Sequence, residues 1–278
     1  MILVSSIFHR KPELIRDQLL LYNAAMGGEG ACHHILHLNR ESVRHGILDG
    51  LGLPPNATVN PVHLETHRPT FLGCHVLNLL HAMREGFGHT HVYLHTESDI
   101  PYRPGLGEHI RAHDLGLAEP RPVKLAGSKS AWAEPVANDL RLRAFVERIG
   151  DGRILTTRYE GMFATRALMT EILFQMMAAW PFDEHHWRGD YPYEEFALPT
   201  VVEAVVRNRT LRRTRHAVMT ASSARRYELA DRAMLRPEHI PLLEREGPEI
   251  FCAKFAPGEL HSPVRAWARR CLGVPEPS

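Results

Sequence analysis

The chain has 278 residues, 44% hydrophobic and 23% charged, with a formal net charge of +1. That length can bury a full core and suits one large domain, and the absence of a basic tract argues against nucleic-acid binding and polybasic membrane anchoring. No apolar run approaches the roughly 20 residues of a membrane span, so disordered, collagenous, coiled-coil and integral membrane classes are excluded.

The opening segment, residues 1–8, is apolar but has neither a charged leader nor a small-residue cleavage site, so it reads as a first strand over 2–8 rather than a signal peptide. Pro12 suits a first helical turn; Ile15, Leu19, Tyr22 and Met26 follow at helical spacing, and Gly27-Gly28 end that helix. Residues 33–38 predict a second strand. After Leu53-Pro54-Pro55-Asn56 a short strand is expected around Val62-His63-Leu64. Leu72, Val76, Leu79, Leu80 and Met83 mark a helix closed by Gly86 and Gly88. Val92-Tyr93-Leu94 is the clearest buried strand, and it runs into His95-Thr96-Glu97-Ser98-Asp99-Ile100-Pro101. The second half predicts a helix over 136–148, a strand over 154–157 and a helix marked by Leu168, Ile172, Met176 and Ala179. A loop over 180–193, a helix over 194–206 and a strand near 216–219 follow. A strand or turn over 250–255 and a helix from about 262 to 272 complete the pattern. This alternation predicts an α/β fold with a mostly parallel sheet flanked by helices. One domain is expected over residues 1–272, with a short frayed tail at 273–278.

The four cysteines (Cys32, Cys74, Cys252, Cys271) form no CxxC pair, so neither a disulfide framework nor a zinc ribbon is indicated, and a reduced, cytoplasmic setting is expected. Lysine is scarce: Lys11, Lys124, Lys129 and Lys254 stand against 29 arginines. In an open parallel sheet, ligands sit beyond the carboxyl ends of the strands, which favours a functional role for Glu97-Ser98-Asp99. The plainer reading of that segment is a capping turn. No P-loop, GxGxxG or GxSxG occurs. His89, His91 and His95 with Asp99 have the density of a metal site, as does Asp183-Glu184-His185-His186. His109 and His113 share a helical face but lack the glutamate of HExxH. With 19 histidines in the chain chance clusters are expected, so a metal-dependent hydrolase stands as the alternative function and no metal ligand is assigned.

Glu194 and Glu195 open a helix after the aromatic Tyr191-Pro192-Tyr193. Their plainer role is favourable charge at a helix N-terminus, worth about 0.3–1 kcal/mol. Pro199 is expected to keep the helix start within about one turn upstream. Lys254, between Ala253 and Phe255, is either a snorkelling side chain or a fixed cation facing an anion.

In this order the pieces resemble the core-2/I-branching N-acetylglucosaminyltransferase and protein xylosyltransferase family. The turn Leu94-His95-Thr96-Glu97-Ser98-Asp99-Ile100-Pro101 is similar to the family's LSGSDxPL segment. Glu160-Gly161-Met162-Phe163-Ala164-Thr165-Arg166 resembles its later aromatic and arginine segment. Glu194-Glu195-Phe196 through Thr200 matches its DE-F-x-x-x-T box, and Ile250-Phe251-Cys252-Ala253-Lys254-Phe255 resembles its LFARKF box. TESD replaces SGSD, and Ala253 replaces the arginine of the last box. The anchor and stem of the animal enzymes are not expected here.

The resemblance implies a GT-A-like, Rossmann-like glycosyltransferase that inverts at the anomeric carbon without a cofactor or a DxD-bound metal. The donor would be a nucleotide sugar, UDP-linked and GlcNAc- or xylose-like. The acceptor would be a glycan or small hydroxyl compound, as in bacterial polysaccharide synthesis, with only peripheral membrane contact. Glu195 would be the general base. Lys254 would stabilise the leaving diphosphate, helped by Arg215, Arg225 or Arg226. Asp99, with Glu97 and Ser98, would contact donor or acceptor, and Glu160 and Tyr159 would lie on the acceptor side. The chemistry needs such parts: a base for the acceptor hydroxyl and a positive group for the departing phosphate. A sugar-nucleotide-binding protein without turnover is a third reading.

Overall fold

The computed structural model describes residues 1–9, 11–66, 70–123, 131–149, 152–180, 191–219 and 234–277. Its strands are β1 (Ile2–Phe8), β2 (Cys32–Leu38), β3 (Ala57–Val59), β4 (His91–Thr96), β5 (Asp99–Pro101) and β6 (Leu115–Gly116). They continue with β7 (Arg121–Pro122), β8 (Leu155–Thr156), β9 (Phe163–Thr165), β10 (Arg213–Thr214), β11 (Val218–Met219) and β12 (Cys252–Lys254). The helices are α1 (Pro12–Met26), α2 (Arg40–Arg44), α3 (Phe71–Arg84), α4 (Leu106–Ala112) and α5 (Ala133–Asn138). After them come α6 (Leu140–Arg148), α7 (Arg166–Ala179), α8 (Tyr193–Val206), α9 (Ile240–Glu244) and α10 (Pro263–Leu272). Among the described residues no helix is long and apolar enough to cross a membrane.

Seven strands form one sheet in the order β10-β6-β9-β4-β1-β2-β3. Only β9 runs against the others, pairing antiparallel with both β4 and β6. β1 lies between β2 and β4, parallel to both and buried along its whole length, as expected for a strand covered on two faces. Alternate residues feed the two sides. Leu3 packs with Ile35, Val76 and Leu79 on the α3 side, while Val4 packs with Tyr22 and Met26 on the α1 side. Its two central serines serve the same faces: Ser5 Oγ bonds His75 Nδ1 at 2.8 Å and Ser6 Oγ bonds His95 Nε2 at 2.6 Å. Both histidines are buried, and burial holds them neutral, His95 at about 3 and His75 well below the usual range.

The structure departs from the sequence expectation in three places. The edge strand is Ala57–Val59 rather than a segment near Val62, because Pro61 has no N–H to continue a ladder. The helix expected over 136–148 is broken at Asp139, whose Oδ1 caps the second half by accepting from the Arg141 and Leu142 amides at 2.8 and 3.1 Å. α8 starts at Tyr193, so Pro199 lies inside the helix rather than within its first turn. After α10, Gly273 caps the helix in a left-handed conformation, the Val274 amide donates to Arg269 O at 2.9 Å, and Glu276 lies 3.1 Å from the buried Arg269 guanidinium.

Candidate functional site

Leaving β4 at its carboxyl end, the chain turns through Glu97 and Ser98 into β5, which pairs antiparallel with β12. That register sets Asp99 directly across from Lys254, although 155 residues separate them. The cross-strand pair meets with Lys254 Nζ 3.3 Å from Asp99 Oδ1. The same ammonium lies 2.9 Å from Glu160 Oε1 and 3.3 Å from Thr96 Oγ1. Its three protons thus have three acceptors. Asp99 Oδ2 accepts the Thr96 amide at 2.8 Å, as the capping reading of its turn expects, while Oδ1 faces the lysine. The residue after the lysine, Phe255, has φ of 74°, a left-handed conformation that is strained for a bulky side chain and costs on the order of 1–3 kcal/mol.

Glu160 is brought to this lysine by Gly161, whose φ of 75° no side chain adopts comfortably and whose missing Cβ would overlap Val218. The Gly161 amide donates to Leu94 O at 2.9 Å, fixing the segment beside the end of β4. Burial alone would raise the Glu160 carboxyl, but Lys254 and Arg158 hold it down at about 2. Lys254 is raised above its ordinary value: burial opposes the charge, and Asp99 and Glu160 more than offset it. Burial raises Asp99, against the pull of the same lysine.

The first turn of α8 closes the other side. Pro199 cannot donate to the Glu195 carbonyl four residues earlier, and the Thr157 amide takes that acceptor at 3.2 Å. Thr200 adds a second stitch, its Oγ1 accepting the Leu155 amide at 2.9 Å. The proline that the sequence suggested would limit the helix instead leaves a carbonyl open for docking α8 against β8. This docking sets Arg158 beside Glu195, and Arg158 Nη1 forms an ion pair with Glu195 Oε1. The Glu195 side chain is 17% exposed and that of Arg158 38%. Glu194, its neighbour, is fully enclosed. Burial pushes its carboxyl well above the ordinary range; the negative fields of Glu195 and Glu160 add to this, and Lys254 opposes it.

Tyr159 stands among these groups. Its hydroxyl is raised by burial first and then by Glu194, Glu160, Asp99 and Glu195, so the sequence-predicted Asp99, Tyr159, Glu160 and Glu195 surround one locus with Lys254. Among the described residues several buried polar atoms here have no hydrogen-bond partner, including Tyr159 Oη, Glu160 Oε2, Glu194 Oε2 and His75 Nε2. Such atoms normally find a ligand or ordered water. His216, lowered to about 4 by burial, adds a neutral imidazole within the field of Glu160.

Other predicted residues have different surroundings. Glu97 is tied to His9, with Oε1 2.6 Å from its imidazole and Oε2 accepting its amide at 2.8 Å. Ser98 bonds Thr96 Oγ1 at 2.9 Å, and its carbonyl accepts the Ala256 amide at 2.9 Å. Arg215 is largely exposed, 4.0 Å from Glu249. It lines a cleft of about 690 Å³ with Leu117, Glu119, Leu155, Arg153 and Glu249, beyond the carboxyl ends of β6 and β10. Arg225, Arg226 and the Asp183–His186 cluster lie outside the described residues.

The alternative histidine set does not converge. His91 and His95 are four strand residues, about 13 Å, apart along β4. His89 bonds Phe87 O at 2.8 Å, His91 bonds His113 O at 3.2 Å, and both nitrogens of His95 are taken by Ser6 and Thr96. No group of three or more potential ligands able to hold a metal exists among the described residues. Arg158, Thr96, His75 and His216 were missed in the sequence. Arg158 immediately precedes the Tyr159-Glu160 pair, but one arginine among 29 gives no signal of its own.

No protein-family model matches the chain, and no curated protein matches it. Among solved structures it is similar to the galactosyltransferase LgtC in complex with donor and acceptor sugar analogs, at 11% identity over 99% of this chain and 98% of that one, with a TM-score of 0.41. It is also similar to a nucleoside-diphosphate-sugar pyrophosphorylase from Vibrio cholerae RC9, at 10% identity, 78% and 91% coverage and a TM-score of 0.39. A third similar structure is S. aureus TarS 1–349, at 10% identity, 87% and 78% coverage and a TM-score of 0.30. Likenesses of this size leave the function to be argued from the site.

Proposed function

We propose that the protein is an inverting glycosyltransferase that moves a sugar from a nucleoside-diphosphate donor to a hydroxyl acceptor. The observation that carries this reading is the polar cluster beyond β4. Around Lys254, buried side-chain atoms of Tyr159, Glu160, Glu194 and His75 have no partner among the described residues, and a partly open carboxylate, Glu195, borders them. A hydroxyl-rich ligand suits such a set, because each unpartnered acceptor or donor meets an O–H. The position beyond the carboxyl ends of parallel strands suits a nucleotide ligand.

In the proposed reaction the acceptor O–H gives its proton to the Glu195 carboxylate as its oxygen attacks the anomeric carbon. The bond from that carbon to the phosphate oxygen breaks, and its electron pair leaves on the diphosphate. Glu160, held ionised by Lys254, and Asp99 accept hydrogen bonds from sugar hydroxyls. Because the lysine's protons are already engaged, we assign it to organising these carboxylates rather than to meeting the diphosphate, a shift from the role expected from its motif. The chain contains no Asp-x-Asp sequence, and the reading assigns no step to a divalent cation.

The test is a panel of UDP-, GDP- and dTDP-linked sugars in EDTA, followed by thermal shift and by release of nucleoside diphosphate. A true donor present at about 100 times its Kd adds about 2.7 kcal/mol to stability. At least one sugar nucleotide should raise the melting temperature and be turned over. A panel without any shift rejects the reading.

A further inference from the structure

With Lys254 enclosed by three acceptors, the departing diphosphate needs another group to meet its charge. The sheet topology points to its place. β1 lies between β2 and β4, and Val4 meets α1, which leads to β2, on one face while Leu3 meets α3, which leads to β4, on the other. The crevice beyond the carboxyl ends of β1 and β4 is therefore the switch point at which open α/β sheets bind their ligands. His9 is the first residue after β1 and Glu97 the first after β4, and the two bridge this crevice. Glu97 Oε1 lies 2.6 Å from His9 Nε2, and Oε2 accepts the His9 amide at 2.8 Å. A carboxylate side chain only 5% exposed thus fixes an imidazole that is 51% exposed. A carboxylate only accepts, so Nε2 carries the proton between them and Nδ1 is left for a ligand; among the described residues Nδ1 has no partner. α1 begins beside this dyad at Pro12, and no side chain caps its N-terminus, which further favours a phosphate there. The dyad also adjoins the lysine cluster: Thr96 and Ser98, on either side of Glu97, share a hydrogen bond of 2.9 Å, and Thr96 meets Lys254.

We propose that His9, oriented by Glu97, is the catalytic acid of the transfer: its Nδ1 N–H meets the donor's diphosphate and protonates the phosphate oxygen that leaves the anomeric carbon. This rests on the glycosyltransferase reading above. As the carbon–oxygen bond breaks, its electron pair stays on the phosphate oxygen and the Nδ1 proton joins it. The imidazole is left neutral, its Nε2 proton still shared with Glu97, and it regains a proton from solvent through its exposed edge. The acceptor's own proton goes to Glu195, so acid and base are separate groups. Glu97 is a positioning residue, which acts on the reaction through the ring that it holds.

A double-mutant cycle tests this, with turnover of a sugar nucleotide and calorimetric affinity for UDP measured on wild type, His9→Ala, Glu97→Gln and the double variant. His9→Ala should lower kcat by about a hundredfold or more, the scale of a lost general acid, and weaken UDP binding by about tenfold, the loss of a charge-assisted bond to phosphate. Free imidazole should restore part of the lost kcat by entering the space vacated at the surface, an effect that a merely structural side chain does not give. His9→Asn, which keeps an N–H near the Nδ1 position, should hold UDP better than His9→Ala while losing kcat as it does. Glu97→Gln should lower kcat by about tenfold or more alone and by no further factor once His9 is alanine. Wild-type kcat in His9→Ala would overturn the assignment and leave the glycosyltransferase reading standing. So would a loss that imidazole does not relieve and that Glu97→Gln deepens by the same factor as in wild type. Failure of the wild type to bind UDP or to turn over any sugar nucleotide would overturn both.

Discussion

Replacing Lys254 with methionine keeps the length of the side chain and removes the one positive charge between Asp99 and Glu160. The cost can be worked from Glu160. Its carboxyl is held at about 2 against an ordinary 4.5 in spite of burial, and at ~1.36 kcal/mol per pKa unit this corresponds to about 3 kcal/mol. Removal of one partner from a buried ion pair typically costs 3–5 kcal/mol, so the two scales agree. The pH dependence has a definite sign. A carboxylate depressed in the fold contributes stability above its unfolded value near 4.5, and that stability disappears as pH falls towards 2. In the methionine variant the carboxyls have no ammonium and can relieve the strain by taking up a proton. The deficit should therefore be about 3 kcal/mol at pH 7.5 and markedly smaller at about pH 3, inside the window between 4.5 and 2. Urea unfolding of both proteins at each pH measures it. A deficit below about 1 kcal/mol at pH 7.5, or one that does not shrink in acid, would refute the charge arrangement described here.

Three further outcomes follow from the same structure. Glu194→Gln should gain stability relative to wild type as pH rises above about 4.5, since burial raises the Glu194 carboxyl and so the fold gives up that proton less readily than the unfolded chain; parallel thermal melts at rising pH would expose a wrong assignment by a constant difference. His34 and His95, held at about 3, and His37 and His216, held at about 4 by burial, bind protons only when unfolded between those values and about 6.5. Unfolding free energy should thus fall by several kcal/mol, roughly, from pH 6.5 to 5, outweighing the opposite slope of Glu194, and a flat profile would contradict their buried neutral state. Gly161→Ala forces a methyl group onto Val218, 2.9 Å from its amide nitrogen, at a φ of 75°. It should lower stability by about 2 kcal/mol or more, and a melting temperature equal to wild type would show that the Glu160 segment tolerates rearrangement.

The sheet was legible in the sequence wherever burial on both faces left an apolar run, as in β1 and β4, and wherever glycine closed a helix, as after α1. Placement failed where a single polar or imino residue decided the matter. Asp139 breaks a continuous helical pattern because its side chain caps the second half. Pro61 moves the edge strand upstream, and Pro199 lies within α8 because Thr157 takes the carbonyl it cannot serve. For the candidate site, short motifs singled out Asp99, Glu160, Glu195 and Lys254 as candidates but not what each touches. The antiparallel pairing of β5 with β12 decides that Lys254 meets Asp99 and Glu160 instead of standing free, and no local pattern announces a pairing across 155 residues. Arg158 was invisible for the same reason: its role comes from the helix docked opposite it.

The most direct test of the proposed chemistry is turnover by Glu195→Gln with the sugar nucleotide that the wild type uses, measured as nucleoside diphosphate released in the presence of acceptor. The account predicts that the variant binds donor at least as tightly as wild type and loses about a hundredfold or more in kcat. A variant that transfers sugar at the wild-type rate would contradict it.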